Sequence, residues 1–120
     1  MDSKNEQYNL LLKALLPQEL FEYFEIVRID IDDKAIDVHL DELNQIPEAY
    51  LSEKLISKGF KESVVIQDFP IRERAVYLHV RQRKWMIGST GKIVGKDWEL
   101  TAKGSRYTKG FATFLKELFR

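Results

Sequence analysis

Arg74-Ala75-Val76-Tyr77-Leu78-His79-Val80-Arg81-Gln82-Arg83-Lys84-Trp85 sets Val76, Leu78 and Val80 against Tyr77, His79, Arg81 and Arg83 in strict alternation. A period of two is the signature of a strand with one dry and one wet face, as is common in antiparallel sheets. Arg74–Trp85 is therefore predicted as one strand. Upstream, Ser63 to Gln67 is rich in β-branched residues and is closed by Phe69-Pro70. Downstream, Gly88-Ser89-Thr90-Gly91 predicts a turn into a strand through Ile93, Val94 and Trp98. A second alternating pair precedes them. Val27, Ile29 and Ile31, then Ile36, Val38 and Leu40, flank Asp32-Asp33-Lys34 and predict a hairpin.

The ends of the chain change period. Tyr8, Leu11, Leu12, Leu15 and Leu16 recur at helical spacing, and Pro17 stops that helix while opening another through Leu20, Phe21, Tyr23 and Phe24. Tyr107, Phe111, Phe114, Leu115 and Leu118 predict a last helix, with Ser105 or Thr108 as its cap. Residues 41–62 are the least legible; Pro47 is expected to open a short helix through Tyr50, Leu51 and Leu55 that ends near Gly59. The expected fold is a single α+β domain over 1–120. It has N-terminal helices (1–24), a mainly antiparallel β-sheet of about four to six strands (25–100) and a C-terminal helix (104–119).

The charges are sorted along the chain. Residues 1–70 hold 15 Asp/Glu against 7 Lys/Arg, and residues 71–120 hold 12 Lys/Arg against 4 Asp/Glu, so a net of −8 is joined to +8. Such asymmetry fits either a surface that meets a polyanion or two halves that neutralise each other. The 120 residues contain no cysteine, which excludes disulfides, thiolate zinc sites and cysteine nucleophiles. His39 and His79, on separate predicted strands, are the only other soft ligands, so no metal and no cofactor is expected. The polar N-terminus is unlike a secretion signal and no apolar run reaches membrane-spanning length, so a cytoplasmic location is expected.

Four constellations bear on function. Arg72, Arg74, Tyr77, His79, Arg81, Arg83, Lys84 and Trp85 form a basic, aromatic stretch whose guanidinium groups suit phosphate. Its bland counterpart is a wet sheet face paired with acids of the first half. Asp30, Asp32, Asp33, Asp37, Asp41 and Glu42 invite a cation, but the calcium-loop pattern needs a glycine where Ala35 stands. They read as the turn and the wet, aggregation-resistant edge of the hairpin. Gly88 to Lys92 lacks the spacing of a phosphate loop, since two residues separate the glycines and Ile93 follows the lysine. The last helix packs on the sheet, or offers its apolar face to a partner. Neither histidine has a serine and a carboxylate in triad order, so no catalytic residue is assigned.

Asp68-Phe69-Pro70, the strand Val76–Val80, the patch Arg81–Trp85 and Arg106-Tyr107-Thr108 together resemble the N-terminal region of a group of bacterial insertion-sequence transposases. Leu15-Leu16-Pro17, Glu19-Leu20 and Tyr23-Phe24 are similar to a cysteine-free subgroup in which this region is encoded as its own protein. In the wider superfamily it is a zinc ribbon leading into a helix-turn-helix, ahead of a DDE catalytic domain. The resemblance implies zinc-ribbon-like hairpins without zinc, because the cysteine pairs would fall near Gly59-Phe60 and Ile87. Packing by Phe60, Trp85 and Trp98 would then replace the metal. Only one helix of the helix-turn-helix is present. The family's catalytic carboxylates belong to a domain beyond residue 120, so none is carried over.

The expectation is thus an accessory, non-catalytic DNA-binding region of a transposase, acting in DNA transposition at the element ends. Arg81, Arg83 and Lys84 would contact phosphates, flanked by Arg72, Arg74 and Arg106, with Tyr77, His79 and Trp85 adding contact area. Its partners would be DNA, a catalytic DDE transposase subunit and further copies of itself. The alternative is a protein-interaction module whose basic half is neutralised by its own acids and which docks on that subunit or self-associates.

Overall fold

The computed structural model describes residues 3–96 and 98–119; Met1, Asp2, Asp97 and Arg120 lie outside it. The fold is α+β, with helices at both ends and two small sheets between them. Helix α1 (Ser3–Leu15) ends before Pro17, whose fixed φ of −56° starts α2 (Gln18–Tyr23). Strands β1 (Phe24–Ile31) and β2 (Ala35–Glu42) form the expected hairpin around Asp32. The carboxylate of Asp32 accepts hydrogen bonds from the Lys34 and Ala35 amides at 2.7 and 2.9 Å, which fixes the turn.

A 3₁₀ turn, Glu48–Tyr50, follows Pro47, and β3 (Leu55–Phe60) comes next. The helix expected to run to Gly59 is thus a single turn and then a strand. Gly59 has φ +82°, outside helical space, and the strand finds a partner in β6. Strand β4 (Val64–Ile71) leads through Arg72 and Glu73 into β5 (Arg74–Arg81). Both turn residues have positive φ, as a tight two-residue hairpin requires. The strand predicted as Arg74–Trp85 breaks at Gln82, and its second part, β6 (Arg83–Ile87), joins the other sheet. Strand β7 covers only Ile93–Val94, so Trp98 is not in a strand. Helix α3 (Lys109–Leu118) is capped by Thr108, whose hydroxyl accepts from the Phe111 amide.

The larger sheet has the order β1-β2-β5-β4, and the smaller one β3-β6-β7. Among the described residues every strand-to-strand pairing is antiparallel except the central one. Strands β2 and β5 run parallel, setting Ile36, Val38 and Leu40 beside Val76, Leu78 and Val80. The dry residues of both alternating stretches thereby share one face. Leu16, just before α2, and Leu20 on it cover that face, to which Phe24 of β1 and Ile66 of β4 also belong, and Trp98 packs edge-on against Phe24. No helix among the described residues is long and apolar enough to cross a membrane.

Candidate interaction surfaces

The parallel register decides the chemistry of the opposite face. It places Asp37, His39 and Asp41 of β2 beside Tyr77, His79 and Arg81 of β5. Arg81 donates from Nε and Nη2 to the two oxygens of Asp41 at 2.7 and 2.6 Å, a fork-to-carboxylate pair. Asp41 is buried, and the Arg81 hydrogen bonds hold its carboxyl below the usual carboxylate range against the opposing effect of burial. The same contact raises the Arg81 guanidinium above its ordinary value.

The neighbouring groups are also engaged. His79 Nε2 lies 2.7 Å from Asp37 Oδ1, and its ring stacks on His39 with centroids 4.4 Å apart. Arg83 donates from Nε to the Glu42 carbonyl at 2.9 Å, while its backbone amide donates to Glu42 Oε1. That buried carboxylate also accepts from Trp98 Nε1 at 3.1 Å. The guanidinium carbons of Arg81 and Arg83 lie 4.2 and 4.7 Å from the Phe60 ring centroid. Arg74 donates to the Asp32 carbonyl at 2.8 Å. A shallow groove lined by Val27, Arg28, His39, Ser63 and Arg81 runs across this face.

Of the residues predicted to contact DNA, the fold gathers Tyr77, His79 and Arg81 on this one wet face. Arg83 and Lys84 are half-buried in the other sheet, and Trp85 there is only 4% exposed, so its indole has little surface to offer a ligand. Arg72 sits in the β4–β5 turn and Arg106 on the segment that crosses β4. The sequence alone marks the partners Asp37, Asp41 and Glu42 as a solvated edge, whereas the fold buries Asp41 and Glu42. A usable signal was there, because Asp37-x-His39-x-Asp41 and Tyr77-x-His79-x-Arg81 match in phase. Among the described residues no group of three or more His, Cys, Asp or Glu is arranged to hold a metal ion.

The helical end is built differently. None of the 13 residues of α1 is buried, and Tyr8, Leu10, Leu11 and Leu15 are exposed. Helix α3 buries Phe111 and Ala112 but exposes Phe114, Leu118 and Phe119. Phe69 of β4 bridges to it, with ring centroids 5.2 Å from Phe111 and 5.6 Å from Phe114. A cleft of about 310 Å³ opens between the two ends of the chain, walled by Leu15, Pro17, Phe69, Leu100, Thr108 and Gly110. At its floor Thr108 donates to buried Asp68 at 2.8 Å, tying α3 to β4.

No protein-family model, no curated protein and no solved structure matches this chain. The transposase resemblance therefore rests on the residues quoted for it alone.

Proposed function

We propose that this chain is a non-catalytic protein-interaction module that receives an apolar segment, most simply a partner helix, in the cleft between α1 and α3. The observation that carries this reading is α1 itself. A helix of 13 residues is marginal alone in water, and this one leaves its leucines uncovered. An amphipathic partner laid along α1, Phe69 and Phe114 would bury them, which is the helix-in-groove mode of recognition. The transposase resemblance supplies one candidate partner, a catalytic DDE subunit, and a cytoplasmic setting goes with it.

DNA binding is the second reading, favoured by Arg72, Lys84 and Arg106, which have no ion pair among the described residues. Against it, a phosphate at Arg81 would have to displace Asp41 from a bidentate pair.

Two measurements separate the readings. Co-expression with the candidate partner should give a complex with the wild type that a Leu11→Ser/Phe114→Ser variant, still folded by circular dichroism, fails to hold. Fluorescence anisotropy with duplex DNA at low salt should stay flat. A complex that survives the double substitution would remove the first reading. A DNA affinity whose logarithm falls with log salt at a slope of about −4 to −5 would establish the second, since about five phosphates would then be neutralised.

A further inference from the structure

The two edges of the larger sheet are treated unequally. Along β4, the Gln67 amide donates to the Arg106 carbonyl at 2.7 Å and the Thr108 amide donates to the Gln67 carbonyl at 2.9 Å, so that edge is bridged at its middle. Strand β1 pairs with β2 on one side, and among the described residues no backbone hydrogen bond reaches it on the other. An open strand edge is a template for another strand. Here the edge also carries uncovered apolar groups on the sheet's dry face: Ile29 pairs with Val38 and Ile31 with Ile36, yet they are 40% and 63% exposed.

We propose that two copies of this chain pair edge to edge through β1, antiparallel about a two-fold axis at Ile29. The axis must stand perpendicular to the sheet if both dry faces are to lie on the same side. Opposed residues then share a face, so the axis passes through a residue and not between two. Centred on Ile29, the register sets Ile29 against Ile29, Arg28 against Asp30 and Asp30 against Arg28. Centred on Arg28 or on Asp30, it sets like charges face to face, which destabilises a ladder. Arg28 and Asp30 are well exposed and joined within the strand at 2.8 Å, so in the dimer two such pairs would merge into an alternating set of four charges. That self-complementarity is the reason a second copy fits this edge better than an unrelated strand.

The extra residue Val27, where the register with β2 slips between Ile26 and Arg28, ends the ladder on each side. A contact this short makes a weak, reversible dimer in place of an open-ended fibre. It lies at the sheet edge opposite β4 and the α1–α3 cleft, so it does not depend on what the cleft binds.

Sedimentation velocity over a concentration series tests it, with folding checked by circular dichroism. The wild type should shift from monomer towards dimer as concentration rises. Arg28→Asp alone and Asp30→Arg alone should each remain monomeric, because each opposes like charges. An equimolar mixture of the two should associate, because every facing pair is again of opposite sign. The double variant Arg28→Asp/Asp30→Arg should recover the wild-type dimer. A wild type that stays monomeric at every concentration, single variants that dimerise like the wild type, or a mixture that stays monomeric would each overturn the proposal.

Discussion

On the wet face of the larger sheet, Arg81 and His79 have partners drawn from β2, Asp41 and Asp37, and Arg83 of β6 donates to the Glu42 carbonyl at the end of the same strand. At the helical end, Tyr8, Leu10, Leu11, Phe114 and Leu118 have no comparable cover. Part of the charge pattern that is conspicuous in the sequence is spent inside the molecule, as in the Arg81–Asp41 pair, while Arg72, Lys84 and Arg106 have no ion pair among the described residues. The apolar residues of the two terminal helices look unremarkable in sequence, yet the fold leaves much of their surface uncovered. A sorted charge pattern therefore reports folding as readily as binding, and surplus apolar surface is the better guide to contact with other molecules.

Substitutions in the closed region should therefore cost stability and those in the open region should not. The largest loss is expected for Leu20→Ala, which removes a fully buried side chain between α2 and the sheet. About 3 kcal/mol should disappear from the urea-unfolding free energy. Trp98→Ala should follow with about 2 kcal/mol, since it strips contacts from Tyr23 and Phe24 and takes a donor from buried Glu42. A Trp98→Ala protein that melted like the wild type would refute the idea that packing here does the work of a metal.

Acid should act next, through Asp41. Its carboxyl is held below the ordinary range in the folded chain by Arg81 and returns to that range on unfolding. The stabilisation is thus complete above the ordinary carboxylate range and is lost as pH falls through the lower, folded value. Arg81→Ala should be less stable than the wild type at neutral pH by about 1 kcal/mol, with the gap closing in acid; chemical denaturation at a series of pH values reads this. The smallest change is expected for Leu10→Ser/Leu11→Ser on α1, within about 0.5 kcal/mol of the wild type. A loss comparable to that of Leu20→Ala would mean that α1 is buried in solution and would erase the contrast.

Much of this fold is legible in the chain because its signals are local. Pro17 divides two helices, Asp32 makes its own turn, and Thr108 caps α3. What is not legible is non-local. Alternation says that Val38 and Val76 face a core, but it does not say that β2 and β5 run side by side and parallel, since that pairing skips over β3 and β4. Without the register, Asp41 and Arg81 are two charges 40 residues apart. With it they are one ion pair, and the part of the basic stretch that lies on the wet face is neutralised by β2 while Arg72 and Lys84 are not. Gln82 hides a second non-local fact: one alternating run serves two sheets, and its Trp85 end is buried. The failed helix near Gly59 has the same origin, because β3 exists only by pairing with β6.

A double-mutant cycle on Asp41 and Arg81 probes the neutralised face most directly. Asp41→Ala, Arg81→Ala and the double variant would be compared with the wild type by urea unfolding at neutral pH and moderate salt. A coupling energy of about 1–2 kcal/mol between the two positions is predicted, as for charged groups that hold each other in one geometry. Effects that simply add would mean that the guanidinium stands free, and the wet face would again be open to a polyanion.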